Sequence, residues 1–340
     1  MLVKNWLNSF ILAVCVLSML SLTTDLHAAE SRSYLLATGT TGGTYYPVGV
    51  GLATLIKVKL QPKEKISMSA VNSAGSGENV KLLNENEAQL GIVNGVYGYY
   101  ARNGLGPVKK LGPQKNLRAI TMLWPNVIHL IVSSKYAKTG TVKDLFDLKG
   151  MKMAMGKQNS GTIEENRAII NNLGMDMDND FDLVYSGYGP SVGGLQNGQI
   201  AGLGIHGGMP VGAVARTMAS MGDDAKILEF PGNLAKEADG DLNLFTPYTI
   251  PAGTYHNQEK PIQTISQPTV LIARDDANEE DIYKITKTIY ENLPFLQAIH
   301  KATNAMDVNK ALNGLPMPLH KGALRYYKEI GLDIPKHLMN

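Results

Sequence analysis

The chain has 340 residues, 44% of them hydrophobic and 18% charged, with a formal net charge of +2. That length and balance suit two globular domains with substantial cores. They exclude the strongly basic field that nucleic-acid binding requires, and they leave a small anion mildly favoured.

The first residues read as a targeting segment. Lys4 supplies a short positive region, and an apolar run beginning Phe10-Ile11-Leu12-Ala13-Val14-Cys15-Val16-Leu17 fades by Thr23. Leu26-His27-Ala28-Ala29 then offers small residues for cleavage. The run is short for a membrane span, so a signal peptide over 1–29, cut after Ala28 or Ala29, is expected; a retained N-terminal anchor is the alternative. Cys15 is the only cysteine in the sequence. It would leave with the peptide, so the mature chain is expected to carry no disulfide or thiol chemistry. A soluble, periplasmic protein follows.

Beyond the leader, short β-rich runs alternate with helical patterns. A strand over 33–38, a helix over 47–60 with apolar Val48, Leu52, Leu55 and Ile56 on one face, a strand over 66–71, a helix over 77–86 and a strand over 89–93 make a βαβαβ series. That series predicts a parallel sheet with right-handed crossovers. Two consecutive strands, 117–123 and 129–133, are expected around Trp124-Pro125. A second series follows: strand 152–155, helix 163–173, strand 182–185, short helix 193–197, then strands 200–205 and 226–230. A strand over 267–273 can cross back to the first series. Helices over 279–293, near 295–300 and near 320–330 close the chain. The fold class is α/β, with two lobes and a ligand cleft between them. Lobe I is expected over 30–126 and 272–340 and lobe II over 127–271, joined near 124–130 and 266–273.

In such an architecture, ligands bind where loops at the carboxyl ends of strands meet. The loop after the first strand reads Gly39-Thr40-Thr41-Gly42-Gly43-Thr44-Tyr45-Tyr46-Pro47. Free amides at a helix start, with threonine hydroxyls beside them, form an anion cradle. No G-x-x-x-x-G-K-[ST] is present, so it is not a nucleotide P-loop. Asn72, Ser73, Ser76 and Asn79 occupy the same position after the second strand, and Asn94 and Tyr97 after the third. The second lobe offers Gln158, Ser160, Gly161 and Thr162, then Tyr188, then His206 and Met209. Thr44, Ser73, Ser76, Ser160 and Thr162 are expected to donate hydrogen bonds. Tyr46 and Tyr97 are expected to form packing walls, with Tyr45 beside them. These loops are poor in carboxylates and hold few Lys or Arg, so neither a metal nor a cofactor is expected, and a carboxylate ligand would rest mainly on amides and hydroxyls.

Catalysis finds little support. H-E-x-x-H is absent. His129, among apolar neighbours, reads as a structural histidine, whereas His206 is either a ligand contact or structural. Gly202-Leu203-Gly204-Ile205-His206-Gly207 matches G-x-G-x-x-G, but a strand runs through Gly204 and Gly208-Met209-Pro210 delays any helix.

The loop at 39–47 resembles the G-T-G-x-x-x-G-x-Y-Y-P signature of the TAXI family, the substrate-binding components of one class of TRAP transporters. Ser73-Ala74-Gly75-Ser76-Gly77-Glu78-Asn79 is similar to the family's S-x-x-N segment. Leu123-Trp124-Pro125-Asn126-Val127-Ile128-His129-Leu130 is similar to its Y-P-x-x-x-H-L crossover, Ser160-Gly161-Thr162 to its G-S-G-T loop, and Thr249-Ile250-Pro251-Ala252-Gly253-Thr254-Tyr255 to its I-P-A-G-T-Y. The likeness runs in order over nearly all of 33–330. It implies a type II periplasmic-binding-protein fold and a small carboxylate ligand, such as glutamate, 2-oxoglutarate or a related C4–C5 acid. It also implies a TRAP integral membrane subunit as partner, and a monomer is expected. Many relatives have Q-S-D where this chain has Val93-Asn94-Gly95, and an arginine where it has Ile163. The loss of an acid and a base together slightly favours a ligand without an ammonium group. A periplasmic sensor module presenting its ligand to a receptor kinase would share the same site. A hydrolase would need an acid–base pair in the cleft.

Overall fold

β1 (Arg32–Ala37) lies between two parallel partners, β2 (Ile66–Val71) and β3 (Leu90–Asn94). The connections are helices α1 (Tyr45–Glu64) and α2 (Ser76–Asn84), and α3 (Gly95–Asn103) follows β3 directly. The computed structural model describes residues 31–339 apart from Leu242; the expected signal peptide lies outside the described residues. The first βαβαβ series therefore forms as the sequence predicts. β3 is buried along its whole length, as a parallel strand covered on both faces should be.

The two strands expected around Trp124-Pro125 are one strand, β4, of 17 residues (Leu117–Ser133). Its antiparallel partner is the 13-residue β10 (Ile262–Arg274). The reading of Pro125 as a break fails for a definite reason. Pro125 and Pro268 are direct register partners, so two residues lacking an N–H face each other and the strands stay paired on either side of them.

β4 and β10 run through both halves of the molecule. The strand order is β2-β1-β3-β10-β4-β7-β5-β6, with β8 on β4 and β9 on β10. Here β5 is Lys152–Ala154, β6 Asp182–Leu183, β7 Gly202–Gly207, β8 Ala225–Ile227 and β9 Thr246–Ile250. The first part of β4 pairs with the β10 segment that also contacts β3, whereas residues 127–133 pair with β7 and β8. Helices α4 (Gly161–Asn172), α5 (Tyr188–Gln196) and α6 (Gly212–Met221) cover the second half. α5 begins five residues before the helix expected at 193, and α3, α6 and β9 were not expected.

The interior divides the same way. One apolar cluster joins Leu36, Ile56 and Ile92 to Trp124, Ile272 and Tyr327. Two others, around Ile128 and Ile169 and around Leu203 and Val214, draw on 127–265 apart from Val96. Each fully buried Leu or Ile stabilises its lobe by about 1.5–3 kcal/mol.

Candidate ligand-binding site between the lobes

The carboxyl ends of β1, β2 and β3 face those of β5, β6 and β7 across a narrow gap. Loop 39–44 turns back on itself, Gly43 N donating to Thr40 O over 3.0 Å. A Cβ on Gly43 would sit 3.2 Å from the ring of Tyr188 in the other lobe, which explains a glycine there. Two hydrogen bonds cross directly: Thr44 Oγ1 to Gly208 O at 2.7 Å, and Ala213 N to Gly42 O at 3.2 Å. A third joins Glu78 N to Asn159 O at 3.0 Å. Gly161 packs so tightly against Asn94 Nδ2 and Ser76 Oγ that no side chain fits.

Four helices begin at this gap. The residues that open α1, α2, α4 and α5 (Thr44 and Tyr45, Gly75 and Ser76, Ser160 to Thr162, Gly187 and Tyr188) all line one cavity of about 40 Å³, measured as the volume open to the centre of a water molecule. A single water needs roughly 10–15 Å³ on that measure, so a small polyatomic molecule fits. A second, outer cavity of about 260 Å³ shares Thr40, Lys157, Gly187 and Tyr188 with the first and adds Asn72, Ser73 and Arg216.

The wall is hydrogen-bonded in detail. Ser76 Oγ accepts from Asn94 N at 3.0 Å, and Asn94 Oδ1 caps α3 by accepting from Tyr97 N at 2.8 Å. Ser160 Oγ caps α4, accepting from Ile163 N at 3.2 Å. Tyr188 donates to His206 O at 2.9 Å and accepts from His206 N at 3.1 Å, with Thr162 Oγ1 2.7 Å away. Burial pushes the Tyr188 phenol up to about 12. It also holds the Tyr45 hydroxyl well above its ordinary range, and the charge of Glu165 adds to that. The Tyr45 ring meets Trp124 edge-on, with centroids 6.2 Å apart.

At the inner end lies Glu165, its side chain only 1% exposed. Its Oε1 accepts from Asn126 Nδ2 and Gln267 Nε2. The Gln267 amide is fixed in that sense because its Oε1 takes Val96 N at 2.6 Å. Glu165 Oε2 lies 2.9 Å from His206 Nδ1. With N–H donors on its other oxygen, Glu165 is an acceptor throughout and makes Nδ1 of His206 the donor. His206 Nε2 is buried and has no hydrogen-bond partner among the described residues.

Of the expected site residues, Thr44, Tyr45, Ser76, Asn94, Ser160, Gly161, Thr162, Tyr188 and His206 line the inner cavity. Asn72 and Ser73 line the outer one. Tyr46, Asn79, Tyr97, Gln158 and Met209 line neither. Asn79 is instead a fully buried brace: its Nδ2 donates to Thr38 O at 2.6 Å and Ile92 O at 2.7 Å, tying β1 to β3. Tyr97 belongs to the first apolar core, where burial lifts its phenol to about 12.

Sequence reading missed Glu165, Asn126 and Lys157, and with them the presence of a carboxylate and a cation in the cleft. A signal existed for Glu165. Thr162, Glu165, Asn166, Ile169 and Ile170 are among the buried positions of α4 and share one face at helical spacing, so a carboxylate stands on the buried stripe. His129 is structural, as expected: Nδ1 lies 3.2 Å from Ile205 O, and Nε2 accepts from Tyr255 OH at 2.9 Å. Burial drives its pKa down to about 3.

Two α/β lobes crossed by a shared antiparallel strand pair, with a small polar cavity between their strand ends, define the fold of periplasmic binding proteins. The model of the NMT1-like family matches residues 36–331, and the chain belongs to that family. Among solved structures it is similar to PhnD1 from Prochlorococcus marinus (MIT 9301), crystallised with methylphosphonate, at 12% identity over 88% of this chain and 99% of that one, with a TM-score of 0.54. It is also similar to the periplasmic binding protein BugD, at 13% identity over 89% and 99%, TM-score 0.51. A Bordetella bronchiseptica RB50 protein aligns at 17% identity over 91% and 86%, TM-score 0.52. At these identities the likeness concerns the fold.

Proposed function

We propose that this is an extracytoplasmic solute-binding protein of the TAXI type. It captures a small organic anion, namely glutamate, 2-oxoglutarate or a related C4–C5 carboxylate, and delivers it to a TRAP integral membrane subunit. The lobes would be 30–126 with 272–340, and 127–271, following the expected leader at 1–29.

The observation that carries this reading is the convergence of four helix starts, two from each lobe, on one cavity. Each presents unpaired backbone amides and the positive end of a helix dipole, so a negative group between them is stabilised from both sides. A ligand held by both lobes binds the closed arrangement better than an open one and thereby shifts the equilibrium toward closure. What supports binding over turnover is that no hydroxyl among the described residues contacts His206 Nε2. Among the described residues the Glu165–His206 pair therefore has no serine or threonine beside it to activate as a nucleophile.

The test is thermal unfolding of protein stripped of bound solute by denaturation and refolding, against amino acids, dicarboxylates and 2-oxo acids. A true ligand at a hundred times its dissociation constant adds about 2.7 kcal/mol. A shift confined to C4–C5 acids supports the reading, and a flat response across the whole panel contradicts it.

A further inference from the structure

The charges around the two cavities are unevenly placed. The outer cavity holds two charged side chains, Lys157 and Arg216, both cationic. Arg118, Arg167, Arg274 and Arg325 each pair with a carboxylate, whereas Arg216 and Lys157 pair with none among the described residues. Arg216 lies over the opening loop, its Nη2 3.4 Å from where a Cβ on Gly42 would sit. The inner cavity shares Lys157 at its mouth and has Glu165 as its one carboxylate.

A carboxylate offers about four acceptor positions. Asn126 and Gln267 fill two on Oε1, and His206 takes one on Oε2, which leaves one for a donor in the cavity. An ionised acid placed at that end would meet like charge in a low-dielectric site, whereas an ammonium or hydroxyl there would complete the set.

We infer that the site is polar from end to end: the ligand lies through both cavities with its acidic end between Lys157 and Arg216 and a hydrogen-bond-donating group facing Glu165. This rests on the anion reading above and narrows it. The ligand is an amino or hydroxy acid in preference to a 2-oxo acid, opposite to the slight preference drawn from the sequence.

Calorimetric titration of L-glutamate and 2-oxoglutarate into the refolded full chain tests this, alongside Lys157→Gln, Arg216→Gln and the double variant. Both positions are exposed, so the variants fold, as circular dichroism will verify. The expected result is tighter binding of L-glutamate than of 2-oxoglutarate, and a loss of about tenfold or more for L-glutamate in the double variant. Equal or tighter binding of 2-oxoglutarate, or a double variant that binds L-glutamate unchanged, overturns the inference while leaving the anion reading intact. If neither acid binds the unaltered protein, the C4–C5 reading falls, and acetate and inorganic phosphate become the probes. Binding of either that is lost in the double variant sustains the cationic end, and binding indifferent to it, or no anion binding at all, overturns it.

Discussion

The hydroxyl of Thr44 donates to the carbonyl oxygen of Gly208 at 2.7 Å, across the cleft and 164 positions along the chain. Thr44 stands at the N-cap of α1 yet makes no capping bond to its own helix. It joins the lobes instead, and the first amides of α1 stay free for the cavity. Thr44→Val keeps the shape and removes the donor, leaving a buried acceptor unpaired at a cost of about 1–3 kcal/mol in the closed form. The expected outcome is solute affinity lowered roughly tenfold, with little change in the urea midpoint of the solute-free protein.

Gly161 tests closure more severely. A Cβ there would lie 2.5 Å from Ser76 Oγ and closer still to Asn94 Nδ2. Both belong to the opposite lobe, so Gly161→Ala wedges the lobes apart without burdening either core. Small-angle scattering should show a larger radius of gyration for the variant in the presence of solute, and calorimetry should show binding lost.

Glu165 holds three N–H donors that would otherwise be buried without partners. Glu165→Ala strands all of them, at about 1–3 kcal/mol each. We expect a loss of roughly 3 kcal/mol or more in urea unfolding, with Glu165→Gln losing less because it keeps the volume and one acceptor. A Glu165→Ala protein as stable as the parent would show that the network is not closed as described.

Much of this was legible in the sequence because local chemistry and tertiary role agree. Short apolar strands ending in Gly, Ser, Thr or Asn predicted the sheet of lobe I and nine of the residues around the inner cavity. Reading failed where the deciding partner is distant. Pro125 looks like a break until Pro268 faces it. Asn79 looks like a ligand contact, but its amide is taken by the carbonyls of Thr38, just past β1, and Ile92 in β3. Glu164 and Glu165 look alike in sequence. Only the packing of α4 sends the first to the half-buried Arg167 and the second to the floor of the site.

Stability should fall in mild acid. Burial holds His129 down to about 3 from its ordinary value of 6.5, and His300 and His320 are lowered in the same direction by the same cause. The unfolded chain therefore takes up protons that the folded chain refuses. The stabilisation is fully present above about pH 6.5 and drains away as the pH falls toward 3. Urea midpoints should drop between pH 7 and pH 4.5, and less steeply in His129→Gln, whose neutral amide takes up no proton. A midpoint independent of pH over that range would contradict the burial of these rings.

The most direct measurement is equilibrium dialysis of radiolabelled L-glutamate and 2-oxoglutarate against the refolded chain. The account predicts one molecule bound per chain, released by an excess of unlabelled acid and weakened by raised salt. No retention of either acid by folded protein at millimolar concentration would contradict it.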